Sequence, residues 1–144
     1  MSPETALFPY ITVDKIHEST PHTGCKTLIS TRKEGKRCEW EPFNKEQDGS
    51  YVISRNLYKN IPGNKLCFEE INHDLELVFR YCWVTSEKYG FARQSELENT
   101  GRQDIRVDLI DGLQNILPAG TPRFAQTNVS NLVDAYKWNE LDEQ

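Results

Sequence analysis

The clearest pattern in the chain is an alternation of apolar and mixed positions between residues 75 and 84. The odd-numbered positions hold only large apolar residues, namely Leu75, Leu77, Phe79, Tyr81 and Trp83. Successive side chains of a β-strand point to opposite faces of its sheet, so this segment has one wholly apolar face. The pattern predicts a strand packed on a hydrophobic core, with Tyr81 and Trp83 contributing to that core.

Further strands are predicted on both sides of this segment. Residues 85–90 have turn chemistry, so a strand over 91–98 should form a hairpin with the first one. Another strand is expected over 105–109, and Asp111-Gly112 suits a bulge or turn before 113–117. Upstream, short apolar runs at 11–16, 25–30, 37–40, 51–57 and 65–71 are separated by turn residues. This spacing predicts an all-β antiparallel β-sandwich that forms a single domain over residues 1–144.

The last part of the chain departs from the strand pattern. Thr121-Pro122 offers an N-cap followed by proline at the first helical position, which predicts one short helix near residues 122–128. Residues 132–138 fit either a helical face or an irregular strand, and local pattern alone does not decide between them.

Composition narrows the possible partners. The 144 residues carry a net charge of −5, and the densest basic stretch, residues 32–37, is interrupted by Glu34 and Gly35. We therefore expect no nucleic-acid partner. No apolar window is long enough for a secretory signal or a membrane span, so we expect no membrane association and a cytoplasmic location.

Cysteine and histidine residues raise the question of a metal site. His17, His22, Cys25 and Cys38 could supply four zinc ligands, but their spacing contains no Cys-x2-Cys knuckle. We expect no metal and no cofactor. Because a domain of this size does not need disulfides, we also expect all four cysteines, including Cys67 and Cys82, to be reduced thiols.

No catalytic residue is predicted. Glycosidic chemistry needs two carboxylates at a defined separation, and nothing pairs any two of Glu96, Glu98, Asp108 and Asp111. Glu96 and Glu98 share one face of a strand and should be solvated. No phosphate loop or nucleophile elbow is present.

Three residues are candidates for contact with a sugar. Tyr89 lies in a predicted turn and Trp138 in a polar segment, where an aromatic ring is less readily explained by core packing. Arg93 alternates with Phe91 and Ser95, so it is predicted to point inward, where a guanidinium needs a partner.

The segments 89–101, YGFARQSELENTG, and 107–120, VDLIDGLQNILPAG, together with 131–142, NLVDAYKWNELD, resemble the N-terminal domain of cellobiose-phosphorylase-like proteins. The resemblance covers roughly residues 75–142. It implies a large β-supersandwich, similar to the galactose-mutarotase-like fold, placed ahead of an (α/α)6 barrel that carries the catalytic acid and the phosphate site.

The resemblance implies that this chain is the first part of a larger N-terminal domain. Its partners would be the remaining β-sandwich, the (α/α)6 barrel and, through the parent enzyme, a carbohydrate that is cleaved by phosphorolysis or hydrolysis. Residues 132–141 would then form a strand without its neighbour, which predicts self-association. The alternatives are a free-standing carbohydrate-binding module and a small enzyme of another type.

Overall fold

Strands dominate the protein in a computed structural model that describes residues 23–88, 90–118 and 120–129. The strands are β1 (Gly24–Lys33), β2 (Lys36–Trp40), β3 (Ile53–Lys59), β4 (Lys65–Asn72), β5 (Leu77–Ser86), β6 (Gly90–Asn99) and β7 (Val107–Gln114). A 3-10 turn spans Lys45–Gln47, and one helix, α1, spans Arg123–Asn128. The predicted all-β fold with one short helix is confirmed.

The strands form two sheets. One has four strands in the order β3-β4-β5-β6, each antiparallel to its neighbour, and the other has three strands in the order β2-β1-β7. The predicted hairpin is present as β5 and β6, which pair from Leu77 opposite Asn99 to Ser86 opposite Gly90. Sequential pairing of this kind follows from the short turns between the strands.

Residues 27–110 form one compact unit, and its core lies between the two sheets. The fully buried apolar cluster draws on both sheets and on the β4–β5 turn, and it consists of Ile29, Trp40, Leu75, Leu77 and Phe79. Tyr81 packs against this cluster, as predicted, whereas Trp83 is half-buried and lies outside it. The alternating pattern therefore identified the core face of β5 but extended the core to Trp83, one position too far along that face.

The buried carboxylate of Glu70 links the two sheets by hydrogen bonds. Glu70 on β4 is 1% exposed, and its carboxylate accepts hydrogen bonds from the indole Nε1–H of Trp40 at 2.8 Å and from the backbone N–H of Phe43 at 2.7 Å. The Nε–H of Arg55 donates to the same carboxylate at 2.6 Å. Buried charge is tolerated only when it is paired and hydrogen-bonded, and Glu70 meets both conditions.

Residues 1–26 and 111–144 form the second compact unit. Within its described part, Leu117, Thr121 and Gln126 are buried, and the Gln126 side-chain N–H donates to the Thr121 carbonyl at 2.9 Å. No helix of the described residues is long and apolar enough to cross a membrane.

Two local predictions need correction. The tight turn considered at Asp111-Gly112 is not present, because β7 runs through both residues to Gln114. The N-cap of α1 is Pro122 rather than Thr121, whose hydroxyl donates instead to the Pro118 carbonyl at 2.7 Å. The strand expected over 11–16 and the ambiguous segment 132–141 lie outside the described residues.

The cysteine prediction is wrong for one pair. Cys67 on β4 and Cys82 on β5 are directly opposite each other, with Cα atoms 4.1 Å apart, and they form a disulfide. Cys25 and Cys38 remain thiols. The bond joins the two central strands of the four-stranded sheet.

Candidate functional site

The inner face of the four-stranded sheet, defined as the face that carries Leu77 and Phe79, is only partly covered. At one end Leu77, Phe79 and Glu70 are each 1% exposed. Towards the β5–β6 turn the side chains become half-buried or exposed, and Leu57 and Phe91 reach 61% and 63% exposure. We call this end of the inner face the exposed half; its strand positions are Leu57, Lys59, Leu66, Phe68, Tyr81, Trp83, Thr85, Phe91, Arg93 and Ser95.

Four aromatic side chains lie on the exposed half, in two contacting pairs. Phe68 and Tyr81 are Cα partners on β4 and β5, and their rings stack with centroids 4.8 Å apart. Trp83 and Phe91 meet edge to face with centroids 6.5 Å apart. We call Phe68, Tyr81, Trp83 and Phe91 the aromatic row. Phe43, in the loop after β2, contacts Tyr81 edge to face at 5.3 Å and marks the end of the row that adjoins the core.

Cations flank this row. Arg93 is the Cα partner of Trp83, and its guanidinium carbon lies 4.8 Å from the centroid of the Tyr81 ring. A guanidinium over the face of a tyrosine is a cation–π contact. The predicted inward orientation of Arg93 is confirmed. Lys59 lies on the same face at the opposite edge of the sheet, on β3, where it is the Cα partner of Leu66.

Of the three residues predicted to contact a sugar, the structure describes only Arg93. Tyr89 and Trp138 lie outside the described residues. Sequence reasoning missed Phe68 and Phe91 as members of the site, although both alternate correctly within their strands. The missing information was the register, because only pairing places these rings on the same face as Trp83.

The opposite, outer face of the same sheet carries a charged network. Arg80 on β5 donates to Glu69 on β4 at 2.5 Å and to Glu98 on β6 at 2.6 Å. Glu69 also accepts hydrogen bonds from Asn56 and from the Tyr58 hydroxyl, each at 2.9 Å. Both oxygens of the Glu69 carboxylate therefore accept hydrogen bonds, Oε1 from Asn56 and Tyr58 and Oε2 from Arg80.

The hydrogen bonds from Asn56 and Arg80, with a further one from Tyr58, lower the pKa of Glu69, although burial acts in the opposite direction. The hydrogen bond to Glu98, followed by that to Glu69, raises the pKa of Arg80. The donation to Glu69 raises the pKa of the Tyr58 hydroxyl. The lowered pKa of Glu69 and the raised pKa of Arg80 both favour the ionised forms of this pair.

Of the four carboxylates considered as acid and base candidates, Glu96 and Glu98 lie on β6, and Asp108 and Asp111 lie on β7. Glu96 and Glu98 lie on the outer face and are exposed, as predicted, and both approach Arg80, at 3.9 Å and 2.6 Å. Asp108 lines a shallow depression of about 760 Å³ on the three-stranded sheet, together with Arg32, Arg37 and Arg106.

The proposed zinc ligands are only partly described. Cys25 and Cys38 lie on β1 and β2, and His17 and His22 lie outside the described residues. Within residues 23–88, 90–118 and 120–129, no group of three or more histidine, cysteine, aspartate or glutamate side chains is placed to hold a metal ion.

Comparisons with known proteins leave the geometry to decide the function. No protein-family model matches the chain. A comparison with curated proteins finds no significant match either.

Proposed function

We propose that this chain is a non-catalytic β-sandwich segment of a carbohydrate-active enzyme and that it contacts sugar through the exposed half of its four-stranded sheet. The observation that supports this proposal is the aromatic row, in which Phe91 is exposed and Trp83 is half-buried outside the core cluster. Apolar side chains grouped on a surface that solvent reaches mark sites of interaction.

The physical basis is the match between a sugar ring and an aromatic face. One face of a pyranose presents C–H groups, which pack on an aromatic ring and displace water from both surfaces. Trp83 and Phe91 are adjacent on neighbouring strands, and because their rings are perpendicular at 89°, a sugar ring can lie flat on one of them and meet the edge of the other. Neighbouring polar groups, here Ser95 and Arg93, would supply hydrogen bonds to sugar hydroxyls.

The non-catalytic part of the proposal is supported by the placement of the carboxylates. Cleavage of a glycosidic bond requires an acid and a second carboxylate on opposite sides of the bond. The exposed half has no aspartate or glutamate among its ten strand positions. A sugar bound at the aromatic row would therefore be held without being cleaved by groups of this sheet.

The parent enzyme follows from the sequence resemblance. In a cellobiose-phosphorylase-like protein, this segment would join the remaining β-sandwich, and an (α/α)6 barrel would perform phosphorolysis or hydrolysis. A free-standing carbohydrate-binding module is the second candidate, and the aromatic row supports it equally. Measuring the activity of a chain extended at the C-terminus separates the two, because only the first gains turnover from a barrel.

Sugar binding by the purified chain tests the proposal. Isothermal titration with cello-, xylo-, galacto- and galacturono-oligosaccharides should find at least one ligand. Phe91→Ala should weaken binding about 3- to 10-fold, the range expected for one aromatic contact. Phe124→Ala is the matched control, because Phe124 is also exposed but lies on α1. Unchanged affinity in Phe91→Ala, or no binding to any of the oligosaccharides, would contradict the proposal.

The cytoplasmic location expected from the sequence also remains a proposal. It requires Cys67 and Cys82 to be reduced in the cell, because glutathione and thioredoxin keep cytosolic thiols reduced. Alkylating thiols at the moment of cell lysis tests this requirement. Four modified cysteines per chain would fit the cytoplasm, and two would fit an oxidising compartment.

A further inference from the structure

Within the aromatic row, the Tyr81 ring has both of its faces covered by other side chains. The Phe68 ring stacks on it with an interplanar angle of 18°, and the Arg93 guanidinium carbon lies over it, 4.8 Å from the ring centroid. Phe68 and Arg93 belong to β4 and β6, the strands on either side of β5, so they reach the ring from opposite sides. A ligand therefore cannot stack on Tyr81, and Phe68 has one face committed to the same contact.

Trp83 and Phe91 meet in a different way, because their rings are perpendicular. The interplanar angle is 89°, and the centroids are 6.5 Å apart. Phe91 is 63% exposed, and Trp83 is half-buried outside the core cluster. We call these two rings the aromatic corner. One sugar ring can lie flat on one of the two rings and meet the edge of the other, whereas a longer row of sugar rings cannot lie flat on both.

Exposed apolar side chains are sparse on the rest of the exposed half. Among its ten strand positions, the exposed large apolar side chains are Leu57 and Phe91. They lie on β3 and β6, the two edges of the sheet, three strand spacings or roughly 14 Å apart. A sugar unit next to one bound in the corner therefore finds no second exposed ring beside it among the described residues.

Hydroxyl groups lie near the corner on the same face. Thr85 is the Cα partner of Phe91 and follows Trp83 by two residues along β5, and Ser95 is the Cα partner of Tyr81. Both residues are exposed. A hydroxyl can donate and accept a hydrogen bond, so it can pair with a sugar hydroxyl in either role. Thr85 is placed to bond the sugar unit that packs in the corner.

We propose that the exposed half binds one sugar unit of a saccharide chain, in the aromatic corner, and makes no stacking contact with the neighbouring units. This inference rests on the proposed sugar-binding function and specifies how much of the chain is recognised. The C–H face of the unit packs on one ring, and the Thr85 hydroxyl bonds a hydroxyl at its rim. Because burial of apolar area is the main favourable contribution, this one unit sets the affinity.

A chain-length series tests this number of units directly. The methyl glycoside, the dimer and the hexamer of the cello, xylo, galacto and galacturono series are titrated into the protein, and NMR resonances of the indole N–H groups report binding. In the series that binds, we expect the hexamer to be at most about 6-fold tighter than the methyl glycoside, the gain from six equivalent units. Each further stacked unit would instead add about 3- to 10-fold.

Phe91→Ala and Leu57→Ala form a matched pair of variants, because both residues are exposed, lie on the inner face and occupy edge strands. Phe91→Ala should weaken the methyl glycoside and the hexamer by the same factor, about 3- to 10-fold. Leu57→Ala should change neither affinity. Thr85→Val removes the hydroxyl and keeps the shape of the side chain, so it should weaken both ligands equally, by about 5-fold.

The outcomes separate this inference from the function on which it rests. A hexamer that gains more than the statistical factor, or that binds when the methyl glycoside does not, would overturn single-unit recognition while leaving sugar binding intact. The same holds if Leu57→Ala weakens the hexamer but not the methyl glycoside. If no member of any series binds, the proposed function fails, and this inference fails with it.

Discussion

Replacing Glu70 with alanine should remove a large part of the stability of the 27–110 unit, because its carboxylate joins β4 to residues on and after β2. The substitution leaves the Trp40 indole N–H and the Phe43 backbone N–H without the acceptors that lie 2.8 Å and 2.7 Å away. Trp40 is 1% exposed, so water does not readily replace the lost acceptor. Arg55 is less affected, since its NH2 group keeps Asp48 at 2.8 Å.

The expected magnitude follows from these donors. An unsatisfied buried donor costs about 1–3 kcal/mol, so the two together give about 2–6 kcal/mol. Glu70→Gln keeps the volume and one acceptor oxygen but turns an amide N–H2 towards donors, so we expect a smaller loss of about 2 kcal/mol.

Urea denaturation measures these losses from the midpoint at constant slope. Glu39→Gln is the control, because Glu39 forms an exposed ion pair with Arg37, and its effect should be within about 0.5 kcal/mol of zero. The order of destabilisation should be Glu39→Gln, Glu70→Gln, Glu70→Ala. If Glu70→Ala unfolds within about 0.5 kcal/mol of the wild type, the carboxylate does not fasten the sheets together.

Three further predictions concern the disulfide, acid stability and activity. Denatured, unreduced protein should titrate two thiols and reduced protein four, and four thiols before reduction would refute the Cys67–Cys82 pairing. Because this bond closes a loop of 15 residues, reducing it should destabilise the fold by about 3 kcal/mol. The lowered pKa of Glu69 means that its contribution to stability is present above the unfolded pKa of about 4.3 and is lost as the pH falls through the folded pKa. Glu69→Gln should therefore reduce the loss of stability between about pH 5 and pH 3. Urea denaturation at each pH measures this, and the same pH dependence of the unfolding free energy in the variant and the wild type would exclude the network as its cause. The isolated chain should neither hydrolyse nor phosphorolyse β-glucosides, and turnover that is abolished by a point substitution within the chain would refute its non-catalytic role.

Strand positions were predictable from the sequence because their signal is local. The alternation around Phe79 and the turn residues between the apolar runs locate most of the described strands to within a few residues. Where a local signal competed with tertiary pairing, pairing prevailed. Gly112 weakens a strand on its own, yet β7 continues through it as part of the three-stranded sheet.

Register and sheet coverage were not predictable, and both determine the candidate site. Nothing local to Cys67 indicates that Cys82 lies opposite it, since that depends on the length of the turn at residues 73–76. Likewise, Trp83 continues the apolar face of β5, and only the extent of the second sheet decides that it falls beyond the core. The aromatic row arises from these two non-local facts.

The indole N–H resonances of the tryptophans test sugar contact at the exposed half most directly. Trp83 belongs to the aromatic row, whereas Trp40 is buried and bonded to Glu70, so it serves as an internal reference. During titration with the oligosaccharide that binds best, the account predicts a saturable shift of the Trp83 resonance, assigned with Trp83→Phe, and a constant Trp40 resonance. Saturable binding that leaves Trp83 unmoved would contradict it.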